Sequence, residues 1–149
     1  MKGIMKIKDI TRINGREIIT VGPNDTITQA IDKLVNYKIG ALPVCEAGGK
    51  LVGIISERDI LRGLHERSKD VTNARVRELM TTEVIVGVPE DELENTVKIM
   101  TEKGVRHLPV MVGPRVISIL SIRDVIEERL TECHTQVRYL NDYIAGGYV

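Results

Sequence analysis

With 149 residues, 21 basic and 21 acidic side chains and no net charge, the chain lacks the basic excess that nonspecific nucleic-acid binding needs. It has no Trp and no Phe, hence no aromatic platform for stacking single-stranded bases. Nothing in it approaches the roughly 20 consecutive apolar residues of a membrane span, and 42% hydrophobic with 28% charged residues suits a soluble globular chain of one average or two small domains.

In chain order, residues 1–17 form an entry segment: Met5, Ile7 and Ile10 line one side of a short helical turn, and Asn14-Gly15 signals a turn. Glu17 to Val21 reads as a strand, stopped by Gly22-Pro23-Asn24-Asp25. Thr26 or Asp25 caps a helix carrying Ile27, Ala30, Ile31 and Leu34 at helical spacing, and Gly40 closes that region. Ala41 to Cys45 and Leu51 to Ile55 are strands joined at Gly48-Gly49. A helix from Glu57 to about Glu66 follows, with Ile60, Leu61 and Leu64 on one face. Residues 67–75 are polar and aperiodic and read as a linker.

The course then repeats. Val76, Leu79 and Met80 make an entry turn and Val84 to Val88 a strand, with a helix through Leu93, Val97 and Met100 that Gly104 stops. Leu108 to Val112 and Val116 to Leu120 form a hairpin, and Arg123 to about Leu130 a helix. Beyond it, Val137, Leu140, Tyr143 and Ile144 suggest a separate amphipathic helix ending at Gly146-Gly147. That helix is expected to pack back on its own domain, a dimer contact being the alternative. The divisions are repeat one over 5–66, linker 67–75, repeat two over 76–130 and tail 131–149.

The duplication is explicit. Ser56, Arg58 and Asp59 map onto Ser121, Arg123 and Asp124 at 124 − 59 = 65. Ile39-Gly40-Ala41-Leu42-Pro43-Val44 maps onto Val105-Arg106-His107-Leu108-Pro109-Val110 at 109 − 43 = 66, and Pro23-Asn24-Asp25 onto Pro89-Glu90-Asp91 at the same offset. The one-residue difference falls in a turn, where a deletion costs little. Each unit is strand–helix–strand–strand–helix, an α/β (α+β) arrangement too small to cover both faces of its sheet. Two copies packed about a pseudo-two-fold axis solve that. Ser56 with Asp59 at a helix start reads first as a capping box, and second as an anion site where free N–H groups and the helix dipole converge.

Leu42-Pro43-Val44 before a hairpin, then Gly53-Ile54-Ile55-Ser56-Glu57-Arg58-Asp59 opening a helix, with the second copy at Leu108-Pro109-Val110 and Ser118 to Asp124, resembles the cystathionine β-synthase (CBS) domain. The pair resembles a stand-alone Bateman module, and the likeness covers nearly all of residues 5–130. Ser118 departs from the glycine of the pattern, and its Cβ could crowd a ligand at the second site.

The resemblance implies an adenine nucleotide in the cleft between repeats. AMP leads among the expected ligands, with ADP, ATP or NAD(H) as alternatives. One site would gather Ser56, Arg58 and Asp59 with Val84, Ile85, Val105, Arg106 and His107. The other would gather Ser121, Arg123 and Asp124 with Thr20, Ile39, Gly40 and Ala41. The chemistry allows it: an ionised Asp accepts both ribose hydroxyls, a guanidinium pairs a phosphate or stacks on a ring, and a hydroxyl at a helix N-terminus donates to phosphate. The Asp59 site, facing Arg106, is expected to bind more strongly or to take the more highly charged nucleotide.

Two functions are weighed, a ligand-sensing regulatory module without catalysis and a small nucleotide-processing enzyme. His65, His107 and His134 are scattered, no P-loop or Gly-x-Gly-x-x-Gly occurs, and no carboxylate cluster of metal-binding type is present. The chain is also shorter than the roughly 200 residues a catalytic (β/α)8 barrel needs. The sensor is therefore preferred. Its partners are expected to be the nucleotide, a second copy in a disc-like homodimer and a target that the sequence does not name. Cys45 and Cys133 lack metal-type spacing, and Met1-Lys2-Gly3-Ile4 lacks an apolar signal core, so free thiols in the cytoplasm are expected.

Overall fold

The computed structural model describes residues 3–10 and 13–145, except for the side chains of residues 68 and 69. Its elements are α1 (Ile27–Tyr37), β1 (Ala41–Cys45), β2 (Leu51–Ser56), α2 (Glu57–Arg67), α3 (Val76–Leu79), α4 (Leu93–Lys103), β3 (His107–Val112), β4 (Arg115–Ser121) and α5 (Ile122–Ile144), with 3-10 turns at Ile7–Asp9 and Ser68–Asn73. β1–β2 and β3–β4 are antiparallel hairpins, each a two-stranded sheet. Their registers match: Pro43 faces Ile54 and Pro109 faces Ile119, and both slip at equivalent places, Val44/Cys45 and Val110/Met111.

The strands expected over Glu17–Val21 and Val84–Val88 shrink to single parallel bridges, Val21 to Val44 and Gly87 to Val110. Proline is the reason. Val21 donates to the Pro43 carbonyl at 3.1 Å and accepts from Cys45 at 2.9 Å; Gly87 does the same with Pro109 and Met111 at 2.9 and 2.8 Å. The next rungs need N–H groups from Pro43 and Pro23, or from Pro109 and Pro89, and proline has none.

Local chemistry explains the helix starts. Thr26 accepts from the Gln29 N–H at 3.2 Å, and the Gln29 side chain accepts from the Thr26 N–H at 2.7 Å, a reciprocal capping box. α1 closes not at Gly40 but at Lys38, held at φ 54°, where the second repeat has Gly104 at φ 67°. On α2, Ile60 meets the core but Leu61 and Leu64 face outward. The inward face is built from Asp59 and Gly63, and any Cβ at Gly63 would collide with the Leu79 side chain of α3.

The two entry segments are exchanged. Val71, Ala74 and Val76, from between the repeats, pack with Val21, Ile27, Leu34, Leu42, Val44 and Ile55. Ile7, Ile10 and Ile13, which precede the first repeat, pack with Leu93, Met100, Leu108, Val110 and Leu120 of the second. Equivalent backbone bonds dock them: Ile27 N–H to the Ala74 carbonyl at 2.9 Å and Leu93 N–H to the Met5 carbonyl at 2.8 Å, with Arg77 to Pro23 and Lys8 to Pro89 at 2.9 and 3.0 Å. Lys6 and Lys8 both donate to Glu90 at 2.8 Å, and these hydrogen bonds, joined by the two charges, bring its carboxyl down to about 2.

The last repeat helix and the expected separate tail helix are one element, α5. Its outer part does not pack back: the residues from Thr135 to Ala145 are exposed throughout. The expected Gly146-Gly147 stop lies outside the described residues.

Candidate functional site

β2 runs into α2 without a loop, so Ser56 becomes the cap and Asp59 the third helical residue. The Ser56 N–H and hydroxyl donate to Asp59 Oδ2 at 2.9 and 3.0 Å, and the Asp59 N–H points back to Ser56 Oγ at 3.3 Å. The capping reading of this pair is therefore the one the geometry shows, and the single hydroxyl proton of Ser56 is engaged with Asp59. Thr81 Oγ1 donates to Asp59 Oδ1 at 3.3 Å and Arg62 Nη1 lies 3.8 Å from it. Asp59 is 7% exposed, so its orientation is set from three sides. The close pass of Thr81 requires Gly53: a Cβ there would sit 2.9 Å from the Thr81 carbonyl oxygen.

Asp59 opens onto a cleft of about 190 Å³ between the repeats. From the first repeat it is lined by Gly40, Ser56, Glu57 and Arg58, and from the second by Val84, Ile85, Val105, Arg106 and His107. Gly40, assigned from the sequence to the other site, thus lies on this one, where a Cβ would come within 3.0 Å of His107 Nε2. Burial pushes the His107 imidazole below its ordinary value, against the pull of Glu57 and Asp124, and Arg106 adds to the lowering. The ring is neutral at pH 7, with one donor and one acceptor nitrogen. Glu57 and Glu83 add acidic groups to the wall that holds Arg58 and Arg106.

The equivalent carboxylate has a different environment. Asp124, 5% exposed, accepts from Arg16 Nη2 at 2.8 Å and Nη1 at 3.4 Å, and from the Ser121 N–H at 3.1 Å. Asp124, Ser121, Arg123, Ile39 and Ala41 do not line the Asp59 cleft. Arg123 turns along its helix to Glu127 at 3.0 Å, Ile39 packs on the first core and Ala41 is buried opposite Ser56. Thr20 borders a separate hollow with Lys33, Cys45 and Arg115. Ser118, expected to crowd a ligand, is itself buried in β4. Sequence reasoning missed Arg16 and Thr81, since neither belongs to the duplicated motif.

Burial alone would raise the Asp124 carboxyl, but hydrogen bonds from Arg16 and Ser121, with the Arg16 charge, outweigh it and hold the group below its ordinary 3.8. A carboxyl depressed on folding contributes stability above its unfolded value and loses that contribution as pH falls through the folded one. The stability difference between wild type and Arg16→Ala is therefore expected to be widest at neutral pH and to close as pH falls below about 4. Urea midpoints from pH 7 to 2.5 check this; a pH-independent difference would exclude a charge role for Arg16.

The CBS domain family matches residues 7–66 and 76–131. The chain belongs to the CBS domain family. As a CBS pair it is similar to a mitochondrial CBS domain-containing protein, CBSX3, of Arabidopsis thaliana, with 33% identity over 129 residues, 84% of this chain and 63% of that protein. The chain thus spans less than two thirds of that relative. Among solved structures, a CBS-domain protein from Agrobacterium tumefaciens superposes with a TM-score of 0.77 at 33% identity, covering 83% of this chain and 98% of the other. The CBS pair of protein MJ0100, solved with 5′-methylthioadenosine and S-adenosyl-L-methionine, gives 0.78 at 27% identity over 87% of this chain and 99% of the other. Among the described residues of this CBS pair, no helix is long and apolar enough to cross a membrane.

Proposed function

We propose that this CBS pair is a regulatory module that binds an adenosine-containing ligand in the Asp59 cleft and performs no chemistry on it. The observation that carries the reading is the buried Asp59 carboxylate, oriented by Ser56 and Thr81 and opening onto a cleft lined by both repeats. A ligand there touches residues of both repeats at once, so its binding energy bears on how they pack, which is what a sensor requires. Asp59 takes the ribose hydroxyls, the neutral His107 and the Val84, Ile85 and Val105 side chains face the base, and Arg58 and Arg106 attract phosphate. AMP is the leading ligand; ADP, ATP and NAD(H) share the ribose and phosphate. The bound adenosine compounds of the similar MJ0100 pair support the ligand class.

The module is placed in the cytoplasm, in keeping with the free thiols of Cys45 and Cys133. It is assigned a homodimer in which the exposed Leu61 and Leu64 of α2, with Ile126 and Leu130 of α5, form the contact and the Val137–Ile144 stretch adds to it. Its regulated target is a further protein.

A thermal-shift panel of AMP, ADP, ATP, NAD(H), 5′-methylthioadenosine, S-adenosylmethionine and GMP tests the reading. A ligand at a hundred times its dissociation constant stabilises the fold by about 2.7 kcal/mol, a rise of several degrees for a chain of this size. Stabilisation by adenosine ligands and not GMP, with the nucleotide recovered unchanged, is expected. Absence of any shift, together with nucleotide consumption, would overturn the proposal in favour of an enzyme.

A further inference from the structure

A second hollow between the repeats has no part in the nucleotide reading. It measures about 430 Å³ and is lined by Thr20, Lys33, Cys45 and Glu46 of the first repeat and by Arg115 and Val116 of the second. It is remote from both carboxylate sites. Gly40, at the Asp59 cleft, precedes β1 and Cys45 ends it, so roughly 17 Å of extended chain separates them. Arg115 opens β4 and Ser121, beside Asp124, ends it roughly 20 Å away.

The floor of the hollow is apolar and its wall is charged. Val21, 2% exposed, supplies hydrocarbon together with Ala47 and Val116. Lys33 Nζ donates to the Thr20 carbonyl at 2.7 Å, which holds the ammonium at the wall with two N–H bonds to spare. Among the described residues neither Lys33 nor Arg115 makes an ion pair. Glu46 is the acid of the lining, which therefore carries one net positive charge.

The fold does not demand this polar set. Val86, Ile99, Met111 and Val112 stand 66 residues after Thr20, Lys33, Cys45 and Glu46, at the same places in the second repeat. The second repeat folds with hydrocarbon at all four, so Lys33 is not a packing requirement. What Lys33 and Arg115 add is two cations, one from each repeat, over a half-apolar hollow of ligand size. A lysine point charge beside a planar guanidinium fits an oxyanion head, the fork taking two of its oxygens.

We propose that this hollow is a further ligand site, for a small organic anion: a carboxylate or phosphate head between Lys33 and Arg115, with a short apolar body on Val21, Ala47 and Val116. Its occupant touches both repeats and so bears on how they pack, whatever the Asp59 cleft binds.

Cys45 lines the hollow and reports on it. With iodoacetamide or iodoacetate the thiolate displaces iodide, a C–S bond replacing the C–I bond. The ratio of the two rates at one thiol cancels its ionisation, which burial holds back at Cys45. The exposed Cys133 is the reference within the same chain. Peptide mass spectrometry at low salt should give an iodoacetate-to-iodoacetamide ratio at Cys45 on the order of fivefold above that at Cys133. Lys33→Met or Arg115→Gln should bring it down toward the reference. Neither side chain is buried, so both variants keep the fold, which urea midpoints verify. Butyl phosphate and butyrate should each slow the reaction of Cys45, but not of Cys133, with iodoacetamide, whichever acts at lower concentration identifying the preferred head; the neutral n-butanol should not. Equal ratios at the two thiols, a ratio unchanged in both variants, or protection by butanol equal to that of the anions would each overturn the site.

Discussion

Asp59→Ala is expected to lose AMP binding by a hundredfold or more in calorimetric titration, while Asp124→Ala leaves the tight phase intact. Two hydroxyl bonds to a charged acceptor contribute about 1.5–3 kcal/mol each, and 1.4 kcal/mol is tenfold in affinity. The asymmetry follows from the partners of the two carboxylates. Asp59 is held by hydroxyls and backbone and keeps acceptor capacity toward the cleft. Asp124 is forked by Arg16. Removing that fork in Arg16→Ala frees the second carboxylate, so a second, weaker binding event is expected there. The neutral variant Asp59→Asn keeps the size and much of the cap and isolates the charge. If Asp124→Ala abolishes the tight phase and Asp59→Ala does not, the assignment is reversed; if neither matters, the cleft is not the binding site.

Ile10→Ala carries the largest expected cost to stability, about 2–5 kcal/mol for deleting most of a fully buried aliphatic side chain. For a chain of this size that lowers the melting temperature by roughly 4–20 °C. The residue stands before the first repeat in sequence but inside the core of the second in space. Were the entry segment a solvent-facing leader, the same change would fall within about 0.5 kcal/mol, as Ile4→Ala at an exposed position is expected to do. Urea unfolding of both variants decides between the two. A loss below 0.5 kcal/mol in Ile10→Ala would refute the exchanged core. Acid should loosen the same docking, because the Lys6–Glu90–Lys8 clamp acts only while Glu90 is ionised; its contribution is present above the ordinary carboxyl value of 4.5 and is lost as pH falls toward 2.

The sequence by itself determined whatever depends on neighbours within a few residues or on a fixed period. Thr26, and Ser56 with Asp59, announce helix starts because a cap reaches only about three residues along the chain. The hairpins at Gly48-Gly49 and Gly113 follow from turn chemistry, and the 65–66 offset places two copies of every element. That Arg58 and Asp59 share a cleft with Val84, Ile85, Val105, Arg106 and His107 was implied by the CBS resemblance, and all of them line that cleft. The sequence reading divided α5 into a repeat helix and a separate tail helix, although no Gly or Pro interrupts residues 122–144, and the structure joins them. Tertiary structure alone decided the rest. Which repeat receives Ile7 and Ile10, and which receives Val71 and Val76, is a choice between two nearly equivalent apolar surfaces, and apolar side chains carry no address. The single bridges at Val21 and Gly87 reflect prolines two residues away on their own segment and on the paired strand, a conflict visible only once the pairing is known. Arg16 reaches Asp124 across 108 residues of chain and Thr81 reaches Asp59 across 22. Neither lies in the duplicated motif, so the inequality of two carboxylates that share the Ser-x-Arg-Asp motif arises largely from what the fold brings beside them.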